Sequence, residues 1–104
     1  MITKTEITEK LNEFRKIGCI VKTFNSHHKM SRGAVGFVDH VIIGKGKIIF
    51  IEVKIGKDVL IKSQEELAGA LQFVSNNAPN AVFYFQMTDK NYEQLISGLL
   101  ESLR

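Results

Sequence analysis

A single cysteine, Cys19, stands in the 104 residues, so the chain can form no disulfide within itself and can build no cysteine-based zinc site alone. That scarcity fits a reducing compartment, and Cys19, between a helix and a strand, reads as a small buried hydrophobe. No stretch approaches the roughly 20 apolar residues of a membrane span. The opening MITKTEITEK lacks the apolar centre of a secretion signal, so a cytoplasmic protein is expected. Repeats, low-complexity tracts and linkers are missing too, and 104 residues suffice for one hydrophobic core and not two, so 1–104 is read as a single domain.

Charge is not strongly biased: 14 Lys and Arg against 11 Asp and Glu give +3 and a pI of about 9.1, too mild to name a polyanionic partner. Hydrophobic content of 44% and charged content of 24% are ordinary for a globular protein. The distribution says more than the total. No acidic residue lies between Lys22 and Arg32, where His27, His28, Lys29 and Arg32 crowd together. A second basic group, Lys45, Lys47, Lys54, Lys57 and Lys62, is balanced only by Glu52 and Asp58.

What is present is a clear alternation of patterns. Thr3 can cap a helix with Glu6 at its N3 position, and Ile7, Leu11 and Phe14 recur at helical spacing, which predicts a helix over 4–17 ending at Gly18. Cys19–Phe24 reads as a strand, and 25–36 as a polar, glycine-containing loop. Val38–Ile43 and Lys47–Lys54, joined by Gly44-Lys45-Gly46, form an antiparallel hairpin whose second arm is apolar enough to be buried on both faces. Ser63 and Glu66 suggest a second capping box, opening a helix that turns Leu67, Ala70, Leu71 and Val74 to the core and ends near Asn76-Asn77, with Pro79 closing it. Ala81–Gln86 is a further strand, and Thr88 or Asp89 would cap a last helix bearing Tyr92, Leu95, Ile96, Leu99 and Leu103. The order αβββαβα contains a βαβ unit, so an α/β fold with a mixed sheet of about four strands and flanking helices is expected.

Charged residues close the apolar run IIFIEVK, where burial alone would not put them. Strand alternation sends Glu52 and Lys54 to one face and Val53 to the other. Counting back from the hairpin turn sets Asp39 at the level of Glu52, so two carboxylates and an ammonium can meet. Paired carboxylates repel unless a hard divalent cation such as Mg²⁺ or Mn²⁺ sits between them. Such a cation lowers the pKa of a bound water and offsets charge at phosphorus, and Lys54 can orient or deprotonate that water.

The run GFVDHVIIGKGKIIFIEVK resembles the PD-(D/E)xK nuclease signature, with Asp39 as the first acid, Glu52 as the second and Lys54 as the lysine. Within that superfamily the chain is similar to the stand-alone VRR-NUC domains of bacteriophages, which have a glycine shortly before the Asp and a glutamine on the following helix, here Gly36 and Gln64. It is also similar to archaeal-type Holliday junction resolvases, which share a serine in the basic loop, here Ser26. The likeness covers residues 6 to about 75. One departure is Val38, where proline is usual; proline shapes the backbone there but is no ligand.

The resemblance implies a restriction-endonuclease-like fold, Mg²⁺ or Mn²⁺ as cofactor, and a metal-dependent endonuclease acting on branched DNA such as Holliday junctions or flaps, in host cytoplasm if phage-encoded. It also implies a further acid from the first helix. Glu6 lies nearer the buried stripe than Glu13 or Glu9, and it also serves as the N3 residue of the capping box. Gln64 positions the water or Lys54 in the family, but it can equally be an exposed first-turn residue. Lys22, Ser26, Lys29, Arg32 and Lys57 are candidate nucleic-acid contacts, against the plainer reading of a soluble basic loop and surface. His27 and His28 could touch phosphate, act as an acid or bind metal, though adjacent loop histidines are usually just solvated. Phe83, Tyr84 and Phe85 read as core and not as a base-stacking platform. Two cuts in a symmetric junction call for a homodimer, with the apolar last helix as part of its interface. The rival from another class is a non-catalytic nucleic-acid-binding module or accessory subunit on the same fold; a plain protein-interaction domain leaves the clustered charges unexplained.

Overall fold

The computed structural model describes residues 1–24 and 37–104. Its elements are α1 (Lys4–Asn12) continued by a 3-10 segment (Glu13–Ile17), β1 (Ile20–Thr23), β2 (His40–Gly44), β3 (Lys47–Lys54), α2 (Lys62–Asn77), β4 (Val82–Thr88) and α3 (Tyr92–Leu103). The fold is mixed α/β, with one four-stranded mixed sheet flanked by helices. Strand order is β1-β2-β3-β4; the first two pairings are antiparallel and β3 runs parallel to β4, as the βαβ spacing predicts. Among the described residues no helix is long and apolar enough to cross a membrane.

The capping box at the first helix is formed as expected, with Thr3 Oγ1 accepting from the Glu6 N–H and Glu6 Oε1 from the Thr3 N–H, each at 3.1 Å. The expected helix over 4–17 is α-helical only to Asn12 and then tightens, a usual way to end a helix. Gly18 stops it at φ 93°. The hairpin turn is the pair Lys45-Gly46, both left-handed at φ 52° and 74°, between the cross-strand partners Gly44 and Lys47. That is the two-residue geometry whose twist matches antiparallel strands.

Strand alternation and register sort the side chains into two faces. Ile49, Ile51 and Val53 of β3 join Ile42, Val21 and Met87 under Ile7, Leu11 and Phe14 of the first helical segment and Leu99 and Leu103 of α3. Burying each such large side chain contributes roughly 1.5–3 kcal/mol. The other face carries Val41, Phe50, Glu52, Lys54, Tyr84 and Gln86, and the start of α2 is bonded to it.

Both later helices differ from the sequence reading in instructive ways. α2 begins at Lys62 with Ile61 as its cap residue, so Gln64, and not Glu66, is the N3 side chain, and its Oε1 accepts the Ile61 N–H at 3.0 Å. With Gln64 fixed inward, a rotation of about 100° per residue brings Leu67, Ala68, Leu71 and Ser75 to the sheet side and leaves Ala70 and Val74 well off it. Ala68 is accordingly the buried residue, while Val74 is 45% and Phe73 70% exposed. For α3 the cap residue is Asn91, not Thr88 or Asp89; the Asn91 side chain turns back to β4, accepting from the Thr88 N–H at 2.6 Å and donating to the Gln86 carbonyl at 3.0 Å. Its apolar residues pack on the chain's own core: Leu99 and Leu103 are buried, and Tyr92, Leu95 and Ile96 pack against the same cluster. The surplus apolar surface that suggested an interface on this helix is therefore largely used within the chain.

Candidate active site at the end of β3

Asp39 is held by its backbone before its side chain is considered. Its N–H donates to the Ile51 carbonyl at 3.1 Å, and its carbonyl accepts the Phe24 N–H at 2.7 Å, which ties it between β3 and the end of β1. The pairing of His40 with Ile51 continues one step to set Asp39 opposite Glu52, on the same face. Asp39 Oδ2 accepts the Val53 N–H at 2.8 Å, capping β3 where β2 no longer pairs with it.

Glu52 is 1% exposed. A buried carboxylate is costly without charge-matched or hydrogen-bonding neighbours, and here the neighbour from α2 is Gln64, whose Nε2 donates to Glu52 Oε1 at 3.4 Å. The same amide accepts from Lys54 Nζ on Oε1 at 3.0 Å. One glutamine thus bridges the acid and the lysine of Glu52-Val53-Lys54 and caps its own helix. Gln64 is half-buried, so the plainer reading of an exposed first-turn residue does not hold.

Beside this group, at the carboxyl ends of parallel β3 and β4, opens a cleft of about 450 Å³ lined by Lys54, Leu60, Glu65, Gln86, Thr88 and Lys90. Open α/β sheets bind ligands at that end. A second cavity, about 210 Å³, is apolar and lies on the opposite face between α3 and the strands, lined by Ile49, Phe83, Phe85, Leu95 and Leu99.

A third side chain facing the acids, after Gln64 and Lys54, is one that sequence reasoning assigns to the core. Tyr84 pairs in register with Phe50 and shares a face with Glu52, whereas Phe83 and Phe85 point the other way. Its hydroxyl oxygen is buried and has no hydrogen-bond partner among the described residues. Burial, then the charge of Glu52, then that of Asp39 push its pKa upward; the Gln86 amide pulls the other way without a hydrogen bond of normal geometry. A buried hydroxyl without a partner costs roughly 1–3 kcal/mol. Alternation along β4 was the available signal, but it needed the β3–β4 register to be read.

Glu6 does not join the acids. Its carboxylate is occupied with the Thr3 N–H on exposed α1, and α1 packs on the Ile51 and Val53 face of the sheet, opposite to Glu52. Among the described residues no three His, Cys, Asp or Glu side chains form a metal-holding group. The candidate donor set is therefore the pair Asp39 and Glu52. Oxygen-only donors of this kind suit a hard divalent cation whose shell water completes.

Of the candidate nucleic-acid contacts, Lys22 is exposed on β1 opposite Val41, hence on the Glu52 face, and Lys57 is exposed just beyond β3. Ser26, Lys29, Arg32, Gly36, His27 and His28 lie outside the described residues. His40, not singled out in the sequence, is buried next to Asp39 and shares a 3.0 Å hydrogen bond between its Nδ1 and Thr23 Oγ1. Cys19 is buried as expected, which raises its thiol pKa. No protein-family model, curated protein or solved structure matches the chain.

Proposed function

We propose that this chain is a metal-dependent phosphodiesterase of the PD-(D/E)xK type, with a restriction-endonuclease-like sheet, that hydrolyses DNA. The observation that carries the reading is the Gln64 amide joining Lys54 to Glu52, with Asp39 opposite Glu52 across β2 and β3. A salt bridge on a protein surface would need no such bridging amide and would not bury its acid.

Asp39 and Glu52 would hold Mg²⁺ or Mn²⁺. When bound, the cation supplies a water of lowered pKa and offsets charge on the phosphoryl oxygens. The Lys54 ammonium has three donors; Gln64 takes one, and the others would serve the attacking water and the scissile phosphate. The open cleft beside Lys54, lined by Lys90 and also by Asp58, Glu65 and Asp89, would be the phosphate's route in. Lys22 and Lys57, with Ser26, Lys29 and Arg32, would contact the backbone and set position without reading sequence. Among the described residues no base-reading element is evident; recognition by shape would suit branched DNA such as junctions or flaps, and a two-fold homodimer would supply two cuts.

The test incubates labelled four-way junction, flap, linear duplex and single strand with the protein, with and without Mg²⁺ or Mn²⁺. Metal-dependent cleavage that is lost in Glu52→Gln and Lys54→Ala is expected. Cleavage unchanged in both variants refutes the site; binding of branched DNA with no cleavage supports the accessory-module reading instead.

A further inference from the structure

Tyr84 is the one aromatic of the Phe83-Tyr84-Phe85 run that faces the acids, and it is the one that carries a hydroxyl. A strand that only needed bulk there would be served by a third phenylalanine, since a buried hydroxyl gains nothing without an acceptor. The Gln86 amide is near but makes no hydrogen bond of normal geometry with it, and the charged acceptors within its electrostatic reach are Glu52 foremost and Asp39. Glu52 in turn accepts from the Gln64 amide at 3.4 Å, among its contacts. A buried donor without a partner, on the same face as the acid pair, is the arrangement expected where a third participant completes the geometry.

We propose that Tyr84 is a positioning residue for the cation site, its hydroxyl donating to the Glu52 carboxylate when the acid pair is loaded. This rests on the reading of Asp39 and Glu52 as the cation's ligands. The phenol stays protonated, and so remains a donor, because burial and the two carboxylates oppose its ionisation. Donors behind a ligating carboxylate fix its orientation, and their removal typically weakens metal affinity about 10- to 100-fold. Tyr84 touches no substrate in this role; it acts through Glu52.

The chain has two tyrosines and no tryptophan, which makes the test direct. Mn²⁺ binding is measured by calorimetry on the whole chain for the natural sequence, Tyr84→Phe, Tyr92→Phe and Glu52→Gln, with thermal unfolding alongside. Tyr84→Phe should bind Mn²⁺ about 10- to 100-fold more weakly while unfolding at the same temperature or higher; Tyr92→Phe should bind as the natural chain does. Unchanged affinity in Tyr84→Phe, with or without a lower unfolding temperature, overturns the proposal. Terbium luminescence supplies a second readout that leaves Tyr84 intact: in Tyr92→Phe the ion should be sensitised by Tyr84 alone. Terbium that binds there without sensitised emission also overturns it. If the natural chain binds neither ion, or Glu52→Gln binds both normally, the failure lies in the cation site itself, and the role of Tyr84 falls with it.

Discussion

Lys54 Nζ donates to Gln64 Oε1 at 3.0 Å, and that same oxygen accepts the Ile61 N–H at the start of α2. Gln64→Ala should therefore lose two things together: about 1 kcal/mol of stability from the missing cap, and about tenfold or more in cleavage as Lys54 loses its guide. Ser63→Ala and Glu66→Ala, which the sequence pattern favoured as the cap, should change stability by no more than about 0.5 kcal/mol. Urea unfolding of the three variants checks this; a larger loss in Ser63→Ala or Glu66→Ala than in Gln64→Ala would contradict the cap assignment.

Asp39 has a structural bond and a proposed chemical one, and two substitutions separate them. Asp39→Asn keeps an oxygen for the Val53 N–H, so it should fold with near-natural stability but bind Mn²⁺ poorly. Asp39→Ala leaves that N–H without its partner and should cost about 1–3 kcal/mol besides. Equal unfolding midpoints for the two variants would mean that the Val53 bond contributes little.

Gly44 meets the helix end at Cys19: a Cβ added to Gly44 would stand 2.7 Å from Cys19 Sγ. Gly44→Ala should destabilise the fold by about 1–3 kcal/mol through overpacking. Adding Cys19→Ala removes the clashing sulfur, so the double variant should be less destabilised than the sum of the two single changes. Strict additivity in thermal unfolding would show that the strain lies elsewhere.

Glu6 is assigned to the capping box, so Glu6→Gln should leave Mn²⁺ affinity unchanged and shift stability by only a few tenths of a kcal/mol, because glutamine can fill the same N3 role. A marked fall in affinity measured by calorimetry would return Glu6 to the ligand set.

Tyr84 predicts a pH dependence of definite sign. Its folded pKa is raised, so the unfolded chain, with an ordinary tyrosine value of about 10, loses its proton first. Stability from this group is whole below that pH and is lost as pH rises through the folded value. The fall in unfolding midpoint above about pH 10 should be shallower in Tyr84→Phe than in the natural chain. Parallel curves would mean that the phenol is no harder to ionise in the folded state.

The parts of this structure that were legible in the sequence are those decided locally. The short connection Gly44-Lys45-Gly46 signals the hairpin, although Gly44 belongs to β2 and the turn itself is Lys45-Gly46, and the charges at the end of IIFIEVK follow from alternation within one strand. What was misread depended on a partner elsewhere. Ser63-Glu66 and Ile61-Gln64 are both three-residue cap spacings, and the decision belongs to Lys54 and Glu52, which draw Gln64 inward. The helical wheel ranked Glu6 against its own apolar stripe, but could not say which face of the sheet that stripe would cover. Three consecutive aromatics look alike as core until the β3–β4 register turns the middle one toward Glu52.

Because β3 sends Ile51 and Val53 into the apolar cluster and Glu52 and Lys54 to its opposite side, a saturation scan of its last four positions should show a two-beat rhythm. Odd-numbered sites would respond in melting temperature, and even-numbered sites in turnover. Evolution or a designer could then tune durability and chemistry on the same short stretch of backbone almost independently.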